Sequence, residues 1–179
     1  MSKTLGEKTK KNLEEALAGE SMARNKYDWF AKAALAEGYV QIANLFMETA
    51  LNEKEHAKLW AKELGIIDEK TLKNLAAAAA GEHYENSEMY IRMAKEAKEE
   101  GHDDLAGSFI MVAKAEEAHE TRYRKLIDNI ENGRVFKRDE EKRWKCNNCG
   151  YIHTGKDAPA ECPTCHHPQA HFEIFCETY

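Results

Sequence analysis

The residues of this chain best suited to chemistry are glutamates and histidines at helical spacing. They comprise two lone glutamates and two Glu-x-x-His motifs: Glu20, Glu53–His56, Glu82 and Glu116–His119. A spacing of three places each Glu and His one turn apart on one face of a helix. Carboxylate oxygens and imidazole nitrogens suit iron or manganese better than copper or structural zinc. The pattern therefore predicts a metal centre built on helices.

These motifs belong to an internal repeat. Its landmarks recur in one order: Ala18-Gly19-Glu20 as Ala80-Gly81-Glu82 at an offset of 62, and Glu37-Gly38 and Glu53–His56 as Glu100-Gly101 and Glu116–His119 at an offset of 63. Each half then forms a helical hairpin with a lone glutamate on its first helix and Glu-x-x-His on its second. We expect a pseudo-twofold axis to relate the halves.

Four long helices must position these side chains, because the first 145 residues contain no proline and are rich in Ala, Glu, Lys and Leu. The predicted helices are Gly6–Glu37, Tyr39–Leu64, Glu69–Glu100 and Asp103–Glu131. Their expected end signals are a capping box of Thr4 and Glu7, a cap at Asp68, and Gly38, Gly65, Gly101 and Asn132-Gly133. Short connections between long helices predict a bundle.

Each predicted helix places a carboxylate inside an apolar stripe. On the fourth helix the stripe reads Leu105, Phe109, Val112, Glu116, His119, Tyr123, Leu126 and Ile130. An unpaired buried carboxylate costs several kcal/mol or stays protonated, so five inward glutamates, Glu85 included, require a strong cation. The alternatives are solvated helix faces or salt bridges along a helix. Pairs such as Glu53 and Lys54 do not face each other at that spacing.

The last 34 residues hold all five cysteines. Four of them form two Cys-x-x-Cys motifs separated by 12 residues: Cys146, Cys149, Cys162 and Cys165. These predict a tetrahedral metal site, which spacing alone assigns neither to zinc nor to a single iron. Disulfides are the alternative, disfavoured because no secretory signal is visible at the start. We expect a spare thiol and surface or packing histidines in the remaining tail positions: Cys176, His166, His167 and His171.

The expected fold is an all-α four-helix bundle followed by a small metal domain. The ligand set is that of ferritin-like di-metal carboxylate bundles. The bundle is predicted over 1–133 and the four-cysteine domain over 144–179. Residues 134–143, of which eight in ten are charged, are expected to form a solvated linker.

Composition limits the classes of function. The formal net charge is -6, which argues against a general nucleic-acid binder. The longest apolar run, Leu75–Ala80, is too short to cross a bilayer. We expect a cytoplasmic protein that engages neither nucleic acid nor membrane.

Taken together, the motifs resemble those of the rubrerythrins over essentially the whole chain: AGES (18–21), NEKEH (52–56), GEHYE (81–85), EEAH (116–119), CNNCGY (146–151) and CPTC (162–165). The resemblance implies a non-haem iron peroxidase that reduces hydrogen peroxide to water in oxidative-stress defence. Its cofactors would be a di-iron pair in the bundle and one iron in a rubredoxin-like domain. Electrons would come from a reduced pyridine nucleotide through a donor protein, rubredoxin or its reductase, and pass the rubredoxin-like iron.

Carried over to this sequence, the resemblance implies that Glu53 and Glu116 bridge both irons. Glu20 matches a terminal ligand of the first iron, and Glu82 and His119 match those of the second. The four paired cysteines correspond to the ligands of the single iron.

The resemblance also implies that Glu85 and His56 exchange on the first iron, Glu85 binding when it is oxidised and His56 when it is reduced. The repeat supports the exchange, because Glu85 falls opposite Ala23 and is the carboxylate that the first half lacks. Four carboxylates balance two ferrous ions, whereas ferric ions favour a further negative ligand. Tyr27 and Tyr90 match two tyrosines near the site, with packing as the alternative role.

Two other classes of function stay open. Iron oxidation and storage, or oxygen reduction, could use the same di-iron site, although a storage ferritin would have no use for a rubredoxin-like electron port. A zinc ribbon on a helical bundle could act as an adaptor, although the inward carboxylates argue against it.

We expect at least a homodimer. Glu131 lies 15 residues beyond Glu116, about 22 Å along a helix axis. The chain therefore leaves the bundle far from its own metal pair. Rubrerythrins pair head to tail, and we expect each tail to serve the partner's bundle.

The ligand count predicts the metal content. Protein isolated aerobically from its native host should hold about three irons per chain, two in the bundle and one in the tail. Metal analysis with an absorption spectrum checks this, because a ferric tetrathiolate site is red and a zinc site is colourless. Zinc in the four-cysteine site would contradict a role for the tail in electron transfer.

Overall fold

We describe the protein from a computed structural model that covers residues 5–178. The chain divides into two units, Met1–Glu69 and Lys70–Tyr179, which we describe separately. The capping box predicted at Thr4 lies outside the described residues.

The four predicted helices are present, with ends within two residues of those expected. In the first unit α1 (Glu7–Ala36) packs against α2 (Val40–Glu63) as a hairpin. In the second unit α3 (Thr71–Tyr84), a π-helix (Glu85–Met89) and α4 (Tyr90–Glu99) follow one another without interruption and pack against α5 (Asp103–Glu131). Among the described helices none is long and apolar enough to cross a membrane.

The helices end at the predicted glycines. After α2, Gly65 adopts a φ of 70°, and the Ile66 N–H donates to the Ala61 carbonyl oxygen at 2.9 Å. This pattern satisfies carbonyl groups that the last helical turn leaves unpaired. The cap predicted at Asp68 is wrong, because α3 begins at Thr71 and Lys70 occupies the N-cap position in extended conformation.

The helices of each hairpin pack through alanine. Within the described residues, all the buried positions of the helices are alanines: Ala31, Ala34, Ala43, Ala50, Ala61, Ala79, Ala94, Ala97, Ala106 and Ala113. Small side chains let two helix backbones approach closely, but they bury little apolar area. The larger apolar side chains therefore stay half-buried or exposed on each hairpin.

The π-helix accounts for a shift in the internal repeat. The offset between halves is 62 from Glu20 to Glu82 but 63 from Tyr27 to Tyr90, so the second half has one extra residue between these points. A single-turn π-helix inserts one residue into an α-helix without breaking it. Here the π-helix begins at Glu85, the carboxylate that the first half lacks.

The tail is a small three-stranded antiparallel sheet of order β2-β1-β3, formed by β1 (Lys137–Cys146), β2 (Ile152–Asp157) and β3 (Phe172–Ile174). Its core contains Trp144, Cys146, Ala158, Cys162 and Phe172. The expectation of a solvated linker over 134–143 is wrong for residues 137–143, which belong to β1. A bulge between Lys137 and Lys142 keeps most of these charged side chains exposed while the strand pairs.

Trp144 should dominate the stability of the small domain. Its ring is fully buried, and Nε1–H donates to the Gly155 carbonyl oxygen at 2.9 Å. We expect Trp144→Ala to destabilise the domain by about 3–5 kcal/mol, and Trp144→Phe, which keeps a ring but loses the donor, to cost less. Denaturant unfolding followed by the absorption of the four-sulfur site measures both. A loss below about 1 kcal/mol for Trp144→Ala would contradict this packing.

Candidate metal centres

The first unit brings together Glu20 from α1 and Glu53 and His56 from α2. One ligand atom from each lies within 4.8 Å of the others. His56 Nδ1 lies 2.7 Å from Glu53 Oε2 and 3.9 Å from Glu20 Oε1. The i, i+3 spacing on α2 sets the shorter distance, and the packing of α1 against α2 sets the longer one.

The second unit repeats this arrangement with Glu82 from α3 and Glu116 and His119 from α5. His119 Nδ1 lies 2.7 Å from Glu116 Oε2 and 3.7 Å from Glu82 Oε2. The two triads thus have matching distances. The side chains of the hairpins obey the symmetry that the sequence repeat predicts.

The electrostatics of the triads favour a cation. Burial raises the pKa of Glu82, and the neighbouring carboxyl group of Glu116 raises it further. In each triad two half-buried carboxylates and an imidazole, half-buried at His119 and exposed at His56, supply hard oxygen and nitrogen donors. These residues fit an iron ion, whose positive charge would relieve the repulsion between the carboxylates.

Glu85 and Tyr90 lie at the two ends of the π-helix. Burial raises the pKa of the Tyr90 hydroxyl, and the nearby carboxylates of Glu85, Glu116 and Glu82 raise it further. The Tyr90 hydroxyl is therefore within the electrostatic influence of two glutamates of the second triad, Glu82 and Glu116. Glu85 is half-buried and is not a member of the triad cluster.

Tyr27 takes the equivalent place in the first unit. Its ring lies 6.0 Å from that of Phe46, as the Tyr90 ring lies 6.1 Å from that of Phe109. Both tyrosines therefore pack against a phenylalanine of the second helix of their hairpin. Neither contact establishes a catalytic role.

A polar network around Glu120 was not anticipated from the sequence. Glu120 accepts hydrogen bonds from Asn86 Nδ2 at 2.8 Å and Arg124 Nε at 2.7 Å, and its Oε2 lies 3.1 Å from His83 Nδ1. The hydrogen bonds from Asn86 and Arg124 lower the pKa of Glu120 to about 2. Only Arg124, four residues away, offered a sequence signal. The network ties the segment around Glu85 to α5.

The four cysteines of the two Cys-x-x-Cys motifs converge at one point of the tail. Their sulfur atoms lie within 4.8 Å of one another, with Sγ–Sγ distances of 3.7 Å for Cys146–Cys165 and Cys149–Cys162. Four sulfurs about 2.3 Å from a central ion would be about 3.8 Å apart. A disulfide requires about 2.05 Å, so these are free thiols shaped for a tetrahedral metal. Cys176 is exposed and free.

Backbone N–H groups donate hydrogen bonds to two of the sulfurs, with different net effects on their pKa values. The N–H of His167 lowers the pKa of Cys165 to about 5. The N–H of Tyr151 lowers the pKa of Cys149, but burial and the adjacent thiols raise it, to about 12 overall. The tail histidines contact other groups, as predicted: His166 lies 2.7 Å from Glu161, and the His167 and His171 rings are 4.6 Å apart.

The Glu120 network predicts a pH-dependent contribution to stability. Because folding lowers the pKa of Glu120 from about 4.5 to about 2, its stabilisation is complete above pH 4.5 and is lost as the pH falls towards 2. We expect Glu120→Gln to lower Tm at pH 7 and the difference from wild type to shrink below pH 4.5. Thermal scans across pH measure this. The exposed neighbour Glu117→Gln is the control and should show no such trend.

Comparisons with known proteins agree with these centres. The family model described as Rubrerythrin matches residues 11–127, and that of the rubrerythrin rubredoxin-like domain matches residues 144–173. Rubrerythrin of Clostridium perfringens is 49% identical over 100% of both chains, and rubrerythrin of Nitratidesulfovibrio vulgaris is 46% identical over 97% of both. A solved mixed-valence structure of nigerythrin is 36% identical, with 97% of this chain and 90% of that chain covered and a TM-score of 0.35.

The fold class and the cofactors follow from the family and the geometry together. The helices form a ferritin-like domain, and the tail is a rubredoxin-like domain. The cofactors are iron, with a di-iron centre served by the glutamate and histidine groups and one ion served by the four cysteines. This chain belongs to the rubrerythrin family.

Proposed function

We propose that this protein is a non-haem di-iron peroxidase that reduces hydrogen peroxide to water in the cytoplasm, as part of defence against oxidative stress. The observation that carries the proposal is the presence in one chain of two carboxylate–histidine triads and a four-sulfur site. The triads suit an iron pair that exchanges electrons with a small oxidant. The four-sulfur site suits a one-electron relay.

When bound, two ferrous ions would supply the two electrons that, with two protons, convert hydrogen peroxide into two molecules of water. The negative charges of the triad glutamates would balance the positive charge of the two iron ions. Glu85 would add a carboxylate in the oxidised state, when positive charge is greatest, and His56 would take its place in the reduced state. Because imidazole is a neutral ligand, it adds no negative charge to the reduced site.

Tyr90 is the better candidate of the two tyrosines for a role in proton handling. Burial raises the pKa of its hydroxyl, and three nearby carboxylates raise it further. A hydroxyl that keeps its proton can donate a hydrogen bond to a peroxide oxygen. The family resemblance implies the same role for Tyr27 in the first hairpin.

The tail is proposed to deliver electrons to the iron pair. Rubredoxin or its reductase, drawing on reduced pyridine nucleotide, would be the donor. Because α5 extends 15 residues beyond Glu116, about 22 Å, the tail begins far from the triad of its own second hairpin. We propose that in a homodimer each tail reduces the partner's iron pair.

Single-turnover experiments test the function. The fully reduced, iron-loaded protein is mixed without oxygen with one equivalent of hydrogen peroxide, and the red absorption of the tail is followed. We expect fast oxidation of the pair and then return of the ferric tail spectrum, with much slower oxidation by oxygen. Faster oxidation by oxygen, or uptake of many ferrous ions per chain, would favour oxygen reduction or iron storage instead. A colourless tail with zinc would favour the adaptor.

Glu85→Ala tests the proposed ligand exchange. We expect it to retain both bundle irons, because four carboxylates and two histidines remain, but to slow turnover with peroxide at least tenfold. Glu88→Ala, an exposed position in the same π-helix, is the matched control and should turn over normally. Metal analysis and peroxide kinetics provide the readouts. Loss of both bundle irons in Glu85→Ala would show a structural ligand and refute the exchange.

A further inference from the structure

The position of the π-helix (Glu85–Met89) depends on side chains as well as on the backbone. At its end the Tyr90 N–H donates to the carbonyl oxygen of Glu85, five residues earlier, whereas an α-helix pairs residues four apart. An inserted residue widens one turn wherever it lies in a helix, so backbone hydrogen bonds alone do not favour Glu85 over a neighbouring turn. Contacts with another element must therefore fix the wide turn in place.

The Glu120 network makes such contacts on both sides of Glu85. Oε2 of Glu120 accepts a hydrogen bond from Asn86 Nδ2 at 2.8 Å and lies 3.1 Å from His83 Nδ1. Oε1 accepts a hydrogen bond from Arg124 Nε at 2.7 Å, which orients the carboxylate on its own helix, α5. Since the Glu120 side chain is only 13% exposed, water competes little for these bonds.

The first half of the repeat lacks both the network and the π-helix. At the offset of 63, the counterparts of Glu120 and Arg124 are Ala57 and Ala61, whose side chains carry no polar group. In that half, α1 is α-helical over its full length. The two triads match, so the network is not needed to build a triad. It occurs together with the π-helix, in the half that carries Glu85.

A ligand that binds in only one oxidation state needs a backbone that stays in place. In the proposed exchange, Glu85 is released in the reduced state, so iron would not hold it there. The network holds the residues on either side, His83 and Asn86, and does not engage the Glu85 carboxylate. Partners outside the ligand set commonly fix the orientation of metal ligands in this way.

We propose that Glu120 is a positioning residue for Glu85. By tying both flanks of Glu85 to α5, it fixes the π-helix in register, and the exchange becomes a rotation of the Glu85 side chain on a stationary backbone. This role rests on the ligand exchange proposed above. Without Glu120 the wide turn spreads over neighbouring positions, and Glu85 reaches the oxidised pair in only a small fraction of molecules.

Amide hydrogen exchange tests the anchoring without depending on iron binding by Glu85. Full-length, iron-loaded Glu85→Ala and Glu85→Ala/Glu120→Ala are compared in the reduced state, with peptides that cover residues 85–90 and α1. We expect about tenfold faster exchange at 85–90 in the double variant and no change in α1, because local opening no longer has to break the network. Equal exchange at 85–90, or an equal rise in α1, overturns the proposal.

Peroxide turnover per bundle iron tests whether Glu120 acts through Glu85. We expect Glu120→Ala to slow turnover about threefold or more, and Glu85→Ala/Glu120→Ala to be no slower than Glu85→Ala. Normal turnover in Glu120→Ala, or a loss in the double variant equal to the product of the single losses, overturns this role. If wild type does not turn over peroxide, or Glu85→Ala does so normally, the proposed function or its ligand exchange fails. Hydrogen exchange then decides the anchoring alone.

Asn86→Ala provides a second, milder variant, because it leaves Glu120 and Arg124 paired and removes only a contact with the π-helix. We expect faster exchange at the π-helix and slower turnover, both smaller than in Glu120→Ala. Glu96→Ala is the matched control, since it breaks an exposed ion pair with Arg92 at 2.9 Å on the adjoining α4. It should change neither readout. Equal effects of Glu96→Ala and Asn86→Ala on exchange would overturn the assignment to the Glu120 network.

Discussion

The structure of each hairpin depends on the charges of the carboxylates that converge between its two helices. In each hairpin two glutamates and a histidine converge within 4.8 Å. Without a cation the like charges of the two glutamates oppose each other, because burial of like charges is costly. A bound iron ion would offset this repulsion and would link the two helices of the hairpin through shared ligands. Metal binding and the packing of each hairpin are therefore coupled, as in other proteins whose ligands come from several elements.

The packing inside each hairpin suits this role. Alanines between α1 and α2, and between the helices of the second unit, bring backbones close and hold each triad in register. They supply little hydrophobic stabilisation.

The asymmetry between the halves arises from one residue. The π-helix adds a position to the second half and places Glu85 beside a triad that otherwise matches the first. Its neighbour Asn86 is held by Glu120 on α5, so the irregular turn is fixed by charge-assisted hydrogen bonds. A carboxylate can thereby be added to a symmetric site while the rest of the ligand set stays in place.

The sequence by itself determined the four helices, both triads and the four-sulfur site. Helical spacing and Cys-x-x-Cys spacing place these groups through local geometry alone. Tertiary structure decided the rest. The contact of Glu120 with Asn86 spans 34 residues, and the charged segment 137–143 joins a strand because Lys137, Lys142 and Arg143 pair with β2. Such contacts depend on which elements pack together, and the spacing of residues along a chain does not predict that packing.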